Sequence, residues 1–237
     1  MGGIIEINGA RKVYRVGNEK IVALDKIDLS IEKGEFCCLL GTSGSGKSTL
    51  LNLMAGLEKP TKGQIKVKNE YIEKLNEKKL AVFRQNNIGF VFQSYNLLPT
   101  LTALENVSLP LAFKGVPRLV RDKKAKAMLE AVGLTSQLKR KPSQMSGGQQ
   151  QRVGIARAFV GRPEIVFADE PTGNLDSKTT KEVMELITSM ARTYNQTLII
   201  VTHDMTIASY ADKIVHILDG NIEKIEMNYK YSRGTTL

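Results

Sequence analysis

Short apolar segments alternate with segments of helical periodicity along most of the chain. Strands are predicted where a short apolar run ends at turn residues, over 4–7, 29–31, 35–40, 88–93, 164–168 and 197–202. Helices are predicted where apolar positions recur at a helical period, over 47–57, 148–160 and 178–194. This alternation indicates an α/β fold with a mainly parallel sheet.

The middle of the chain has a different character. Its sequence favours helices, contains Pro110 and Pro117, and is rich in lysine and arginine. We therefore expect a helical subdomain over 94–160, inserted into a catalytic core formed by 1–93 and 161–237. A chain of 237 residues suits a single domain of this kind, spanning 1–237.

The composition is that of a folded protein, with 42% hydrophobic residues and 24% charged residues. Its apolar runs are much shorter than the roughly 18 residues of a membrane helix. The first six residues lack the cationic and apolar pattern of a secretory leader, so we expect a cytoplasmic protein. The two cysteines, Cys37 and Cys38, are neighbours inside an apolar run, which predicts core packing and neither a disulfide nor a metal site.

The formal net charge of +10 first suggests a polyanionic partner, either nucleic acid or an anionic membrane. Most of the excess lies in 114–141, where nine basic and two acidic residues give +7. Two interpretations remain open for this basic stretch. It is a solvated helical face, or it faces anionic lipid headgroups.

A phosphate-binding pattern, G-x-x-x-x-G-K-[ST], lies between a predicted strand and a predicted helix. The residues are Gly41, Thr42, Ser43, Gly44, Ser45, Gly46, Lys47 and Ser48, followed by Thr49. The glycines let backbone N–H groups surround a polyphosphate, and the helix N-terminus adds a positive dipole. Lys47 would reach the terminal phosphates of ATP, and the Ser48 hydroxyl could ligate Mg²⁺.

Two carboxylates follow the predicted strand over 164–168. Asp169 is placed to hold Mg²⁺ through water, because this ion keeps several of its own waters. Glu170 is placed to orient or deprotonate an attacking water. Adjacent acids also occur in solvated turns and at helix N-termini, which is the alternative interpretation.

With these motifs, the sequence resembles the nucleotide-binding subunits of ATP-binding cassette transporters. The resemblance implies an α/β fold: a P-loop NTPase core with a mainly parallel sheet, an antiparallel N-terminal β region and an inserted helical subdomain. Ser146, Gly147, Gly148 and Gln149 match the signature motif of that family and lie between the phosphate loop and Asp169. Since each chain already has one phosphate loop, the resemblance implies a head-to-tail dimer. Two ATP molecules would lie at its interface, each held by the phosphate loop of one chain and the signature of the other.

The resemblance also assigns roles to four other residues. Tyr14 matches the aromatic residue that stacks on adenine, although a core tyrosine remains the alternative. Gln93 matches a glutamine that contacts Mg²⁺ and senses the membrane partner. Asp176 matches the loop that crosses the dimer interface, and His203 matches the histidine that contacts the γ-phosphate.

The implied function is that of an ATPase subunit that dimerises around two ATP and drives a separately encoded permease. Segments such as 91–93, 96–99, 101–107 and 171–176 look like the lipoprotein-release, macrolide-export and antimicrobial-peptide-resistance branch, which also contains cell-division ATPases. We therefore expect a peripheral protein on the inner face of the membrane. A cell-division ATPase that transmits force to cell-wall hydrolases is the alternative.

A DNA-repair or translation-factor cassette is disfavoured. DNA-repair cassettes carry a coiled coil or zinc insertion between the phosphate loop and the signature, and this interval has neither a heptad run nor a further cysteine. A translation-factor cassette would need two phosphate loops in one chain. We therefore expect no specific nucleic-acid binding.

Overall fold

The structure is a computed structural model that describes residues 2–228. Residue 1 and residues 229–237, which the sequence analysis assigns to the catalytic core, lie outside the described residues. The chain forms two compact units. The first contains residues 2–84 and 197–228, and the second contains Gln85–Gln196.

The first unit contains an antiparallel sheet with strand order β2-β1-β4-β5. Its strands are β1 (Ile5–Val16), β2 (Glu19–Ile31), β4 (Lys62–Val67) and β5 (Glu70–Tyr71). In β1 the buried Ile5 and Ile7 flank the half-buried Glu6, which is the alternation of a sheet with one covered face. This sheet confirms the antiparallel N-terminal region that the resemblance implied.

The other strands of the first unit pair mainly in parallel. Here β3 (Phe36–Leu40) pairs in parallel with both β8 (Thr197–Thr202) and β9 (Lys213–Leu218), and β10 (Asn221–Met227) pairs antiparallel with β9. Every residue of β3 and β8 is buried, as expected for interior parallel strands. Cys37 and Cys38 are both free and buried, which confirms their predicted core packing. Burial raises the pKa of the Cys37 thiol well above its usual value.

The helices of the first unit are α1 (Lys47–Met54) and the short α7 (Met205–Ala208), and Ile72–Lys74 forms a 3₁₀ turn. Helix α1 starts at the predicted residue but ends three residues earlier than the predicted limit at 57. It ends there because Gly56 adopts a left-handed conformation, with φ 63°. Helix α2 (Glu77–Asn87), which the sequence analysis did not predict, contains the boundary between the units.

The second unit combines two parallel strands with four helices. The strands β6 (Ile88–Phe92) and β7 (Ile165–Asp169) pair with Phe92 opposite Asp169. The helices are α3 (Ala103–Phe113), α4 (Arg118–Ala131), α5 (Gly147–Phe159) and α6 (Ser177–Thr193), and Thr135–Gln137 and Pro142–Gln144 are 3₁₀ turns. The parallel pairs of both units confirm the predicted α/β fold with a mainly parallel sheet. The helical subdomain over 94–160 stays a prediction, since the compact units divide at other residues.

None of the helices in residues 2–228 combines the length and apolar composition needed to cross a bilayer.

Candidate nucleotide-binding site

The phosphate loop connects the buried strand β3 to helix α1 in the first unit. Gly44 and Gly46 have φ values of 81° and 102°, which side chains with a Cβ rarely adopt. A Cβ at Gly46 would also lie only 2.6 Å from the Ala23 carbonyl oxygen. Gly46 is the N-cap of α1 and, having no side chain, makes no side-chain cap hydrogen bond to this helix. The backbone at this turn therefore suits an anionic ligand.

Two polar side chains are buried in the same loop. Lys47 is only 6% exposed, and its Nζ donates a 2.7 Å hydrogen bond to the Thr42 carbonyl oxygen. Ser45 is 2% exposed, and its hydroxyl has no hydrogen-bond partner among the described residues. An ammonium held against the loop and a buried hydroxyl both fit a polyphosphate, since a buried polar group gains stability from a partner.

Tyr14 lies beside α1 within a cluster of polar contacts. Its hydroxyl donates a 2.7 Å hydrogen bond to Glu58, and it also has a side-chain hydrogen bond with Thr49, which follows the phosphate loop. The Lys12 ammonium lies 5.0 Å from the centroid of the Tyr14 ring and 2.8 Å from the Glu58 carboxylate. The structure thus places Tyr14 next to Thr49, with its hydroxyl oriented by Glu58.

The same cluster changes the proton affinity of two groups. Burial and the hydrogen bond to Glu58 raise the pKa of Tyr14. Burial alone would raise the pKa of Glu58, but hydrogen bonds from Lys12, Tyr14 and Asn52 lower it overall. The Glu58 carboxylate is therefore ionised at neutral pH and remains an acceptor for Tyr14. Sequence reasoning missed Glu58 and Lys12, because Glu58 is 44 residues from Tyr14 and matches no motif.

His203 follows β8 and is exposed. The parallel register places Thr202 opposite Leu40, the last residue of β3. Because the carboxyl ends of adjacent parallel strands lie at one edge, His203 and Gly41 emerge next to each other. The first unit therefore brings together Tyr14, the phosphate loop and His203.

In the second unit, the ends of β6 and β7 bring Gln93 and Asp169 together. Asp169 is opposite Phe92, the residue before Gln93. The Asn174 side chain donates a 3.1 Å hydrogen bond to the Gln93 carbonyl oxygen, and a Cβ at Gly173 would lie 2.5 Å from Gln93 Nε2. Gln93 is thus packed against the segment that follows Glu170.

Glu170 has a backbone conformation that is unusual for its residue type. Its φ is 44°, in the left-handed region that favours glycine, and its carbonyl oxygen accepts a 3.1 Å hydrogen bond from the Gly173 N–H. Such a conformation costs about 1–3 kcal/mol and is most often found at functional sites. The tight turn after β7 therefore fixes the direction in which Glu170 leaves the strand.

Asp176 caps helix α6. Its carboxylate accepts hydrogen bonds from the N–H groups of Lys178 and Thr179, at 3.1 and 3.0 Å, and from the Thr179 hydroxyl. The Thr179 side chain and then the backbone N–H groups lower the pKa of Asp176. Besides the dimer-interface role expected from the sequence, Asp176 therefore stabilises the N-terminus of α6.

The signature residues begin helix α5. Ser146 is the N-cap, and its hydroxyl accepts a 3.3 Å hydrogen bond from the Gln149 N–H, while the Gln149 side chain accepts a 3.1 Å bond from the Ser146 N–H. A Cβ at Gly147 would lie 2.8 Å from the Tyr95 hydroxyl, and one at Gly148 would lie 2.9 Å from the Thr179 methyl group. A side chain at either position would therefore force the Tyr95 or Thr179 side chain to shift.

Arg157 is a residue that sequence reasoning missed. From α5 it donates a 2.8 Å hydrogen bond to the Tyr95 carbonyl oxygen and a short one to the Asn96 carbonyl oxygen. Tyr95 and Asn96 both have positive φ, at 60° and 47°, so Arg157 stabilises a strained turn that starts two residues after Gln93. Burial lowers the pKa of Arg157. Only a contact across about 60 residues of sequence reveals this role.

The residues predicted to bind Mg²⁺ are Ser48, Gln93 and Asp169. They offer hydroxyl, amide and carboxylate oxygens, which suit Mg²⁺, an ion that takes few protein ligands and keeps several waters. Gln93 and Asp169 lie side by side in the second unit, whereas Ser48 belongs to the first. No group of three histidine, cysteine, aspartate or glutamate side chains within residues 2–228 could form a metal site by itself. The donor set therefore fits Mg²⁺ and excludes a cage of such side chains in this part of the chain.

Comparisons with known proteins agree with these features. The family model described as ABC transporter matches residues 24–173. The lipoprotein-releasing system ATP-binding protein LolD of Geobacter metallireducens is 45% identical over 222 residues, which is 94% of this chain and 99% of that protein. The macrolide export ATP-binding/permease protein MacB of Rhodopirellula baltica is 45% identical over 219 residues, 92% of this chain and 32% of that longer protein.

A solved structure is similar over nearly the whole fold. It is a dimeric, post-hydrolysis state of an ATP-binding cassette from Methanocaldococcus jannaschii, bound to ADP and Pi. The TM-score is 0.88 at 42% sequence identity, over 97% of this chain and 99% of that one. With the family model covering more than half of the chain, this protein belongs to the ABC transporter family, as an ATP-binding subunit that contains the ATPase domain of that family.

Proposed function

We propose that this chain binds and hydrolyses ATP as one half of a homodimer and thereby drives a separately encoded membrane permease. The observation that carries the proposal is the phosphate loop of the first unit. It combines left-handed glycines, a helix N-terminus without a side-chain cap, and a buried lysine. Those are the elements that hold a nucleoside triphosphate.

ATP binding is assigned to the first unit. The N–H groups of Gly41–Thr49 and the Lys47 ammonium hold the phosphates, and the Tyr14 ring stacks on adenine. Glu58 and Lys12 support this role, because their contacts with Tyr14 fix its hydroxyl and cover part of its ring. His203, at the edge next to Gly41, contacts the γ-phosphate.

Hydrolysis is assigned to Glu170, which orients the attacking water and accepts its proton. The turn that holds Glu170 in a left-handed conformation supports this assignment, because it restricts where the carboxylate can point. Mg²⁺, held by Ser48, Gln93 and Asp169, would neutralise charge on the phosphates. His203 and Lys47 stabilise the charge that develops on the γ-phosphate.

Dimerisation follows from the second phosphate-binding helix. The N–H groups of α5 and the Ser146 hydroxyl suit a γ-phosphate, but the phosphate loop of the same chain already holds one. Ser146, Gly147, Gly148 and Gln149 therefore bind the ATP of a second, head-to-tail copy, with Asp176 at the interface. The similarity to a dimeric cassette supports this arrangement.

The permease is assigned to the exporter or extractor type, on the strength of the similarity to lipoprotein-releasing and macrolide-export proteins. A permease would hold this subunit on the inner, cytoplasmic face of the membrane. A conformational change in the permease would reach the ATP site through the segment after Gln93. Arg157 donates hydrogen bonds to the Tyr95 and Asn96 carbonyl oxygens of this segment. The alternative is a cell-division ATPase that transmits force without transport. Co-purification with the membrane partner separates the two, because only the alternative would recover a partner coupled to cell-wall hydrolases.

The experiment that tests the proposal is Glu170→Gln. We expect ATP hydrolysis to fall at least about 100-fold, since a positioned base contributes about 10²–10⁴ in rate. ATP affinity should be unchanged, and ATP should trap a dimer detectable by size-exclusion chromatography. The matched control is Glu185→Gln on the exposed side of α6, which should hydrolyse ATP at the parent rate. Parent-rate hydrolysis by Glu170→Gln would refute the role of this base.

A further inference from the structure

The connection between α3 and α4 exposes an unusual combination of side chains. Leu119 and Phe113, 87% and 71% exposed, are the most exposed large apolar residues among residues 2–228, and Val120 is exposed as well. Helix α3 ends at Phe113 and helix α4 begins at Arg118, so the three side chains lie at one end of this helix pair. We call residues 113–124 the hairpin tip.

Basic residues surround these apolar side chains. The basic residues of the hairpin tip are Lys114, Arg118, Arg121, Lys123 and Lys124, and Asp122 is the one acid in its sequence. Asp122 lies 3.5 Å from Arg118 and 3.9 Å from Arg121, so two arginines share a single carboxylate. The tip therefore keeps an excess of positive charge after its internal ion pairs are formed. All of it but Phe113 lies in the 114–141 stretch, whose net charge is +7.

The helical repeat arranges these residues in two layers. Leu119 and Lys123 are four residues apart on α4, as are Val120 and Lys124, and all four are exposed. Residues at this spacing lie one above the other on one face. Each exposed apolar residue in the first turn of α4 thus has a lysine about 6 Å further along the helix axis. The opposite face of α4 is buried through Ala125, Met128 and Leu129.

Apolar side chains at the end of an element, with lysines one turn behind them, match the structure of a bilayer surface. The apolar groups of an interfacial segment enter about 5–10 Å into the boundary between headgroups and acyl chains. Lysines one helical turn back then lie at the depth of the lipid phosphates, and their flexible stems can follow the apolar surface. A purely solvated face would account for the lysines but not for Leu119 and Phe113, the most exposed large apolar residues.

We propose that the hairpin tip is a docking surface for an anionic lipid membrane. Phe113, Leu119 and Val120 insert at the boundary between headgroups and acyl chains, while Arg118, Lys123 and Lys124 contact anionic headgroups. This contact is independent of ATP and of the permease. Of the two interpretations left open for the basic stretch 114–141, this contact corresponds to the one in which the stretch faces anionic lipid headgroups. Burial, and then the nearby charge of Lys124, lower the pKa of Lys114, which also belongs to the hairpin tip. Anionic headgroups would offset the repulsion between these two lysines.

The test is co-sedimentation of the full chain, without a permease, with phosphatidylcholine vesicles that contain or lack phosphatidylglycerol. The parent chain should bind only the anionic vesicles, and added salt should weaken binding. Each basic residue near such a surface contributes about fivefold in partitioning. The double variant Lys123→Glu with Lys124→Glu should therefore lower the partition coefficient at least about tenfold. The double variant Phe113→Ser with Leu119→Ser should lower it by a similar factor.

Two control variants make the same changes elsewhere. Lys78→Glu with Lys79→Glu alters the net charge equally on the exposed face of α2, and Val82→Ser with Met227→Ser removes two other exposed apolar side chains. Both should bind like the parent. Thermal unfolding checks that every variant is folded, and the single variant Leu119→Ser replaces the double one if that variant unfolds.

Four results would overturn the proposal. The first is parent-like binding by both tip variants, and the second is equal weakening by the α2 control, which would indicate a general charge effect. The third is loss of permease binding in detergent by the tip variants while vesicle binding is unchanged, because the surface would then serve a protein partner. A charge variant that loses binding while the apolar variant keeps it would also exclude insertion.

Discussion

Helices α1 and α5 both begin at glycine-containing turns, but their N-termini are satisfied in opposite ways. Helix α1 starts after Gly46, which has no side chain to offer its N–H groups. Helix α5 starts after Ser146, which exchanges hydrogen bonds with Gln149 in a capping box. The N-cap residue of α1 thus offers no acceptor, whereas that of α5 already accepts a hydrogen bond from the Gln149 N–H.

This difference implies two kinds of phosphate binding. At α1 the N-cap glycine supplies no side-chain acceptor, so ATP binds there without displacing a side-chain cap. At α5 a γ-phosphate must compete with hydrogen bonds that are already made, and a cap of this kind is worth about 1 kcal/mol. We therefore expect ATP to bind the phosphate loop first and the signature second, when another copy delivers it.

The strongest way to break this comparison is to remove the lysine of the phosphate loop. Lys47→Met keeps most of the buried stem and removes the ammonium. ATP affinity of the separate chains should fall at least about 100-fold, because hydrogen bonds to charged groups are worth about 1.5–3 kcal/mol each. Equilibrium titration with ATP measures this loss, and Lys181→Ala on the exposed face of α6 should bind like the parent. Affinity within threefold of the parent would contradict the role of Lys47.

Ser146 tests the other side of the comparison. Ser146→Ala should leave ATP affinity of the separate chains within twofold, but should lower hydrolysis by the dimer about tenfold or more. It should also reduce the free energy of unfolding by about 1 kcal/mol through loss of the cap. Ser146→Asp separates the two effects, because aspartate restores the cap while its charge repels a phosphate. An Asp variant with parent-level hydrolysis would show that Ser146 acts only as a cap.

Tyr14 sharpens the comparison, because it tests the adenine side of the site at α1. Tyr14→Ala should weaken ATP binding about five- to tenfold through loss of stacking. Tyr14→Phe, which keeps the ring and loses the hydrogen bond to Glu58, should weaken it less. Neither variant should change the affinity for inorganic tripolyphosphate, which lacks adenine. Equal loss for both ligands would indicate that Tyr14 only supports the shape of the loop.

The smallest expected effect is a pH dependence from Glu58. Its pKa is lowered in the folded protein, so the ionised form stabilises the native state. This contribution is complete above the ordinary value of 4.5 and disappears as pH falls through the lowered folded pKa. The free energy of unfolding of the parent should therefore exceed that of Glu58→Gln by a constant amount from neutral pH down to 4.5. At lower pH this difference should shrink toward zero. We expect less than about 1 kcal/mol, because the side chain is partly exposed.

Sequence patterns predicted best where one physical requirement dominates. The buried strand β8 was predicted at its observed limits because every residue is covered and the run is apolar. The start of α1 was predicted because the pattern G-x-x-x-x-G-K-[ST] is typical of a phosphate-binding loop that leads into a helix. In contrast, β1 reaches Val16 rather than residue 7, since its second half is polar and is held in the sheet by backbone pairing with β2.

The supporting contacts of the candidate site could not be predicted in this way. Glu58 reaches Tyr14 across 44 residues, and Arg157 reaches Tyr95 across 62. A charged residue at such a position has the same local pattern as any solvated one, and only the folded chain shows its partner. The capping box at Ser146 was within reach of sequence reasoning, since serine followed three residues later by glutamine is its usual pattern.

The left-handed backbone at Glu170 has a consequence for how this protein would respond to selection. Glycine is the residue that this conformation favours, so the strain at Glu170 would be relieved by Glu170→Gly. A screen of variants for solubility or heat resistance alone would therefore enrich substitutions such as Glu170→Gly. These substitutions stabilise the fold and remove ATP hydrolysis. Variants of this protein should accordingly be sorted by turnover before they are ranked by robustness.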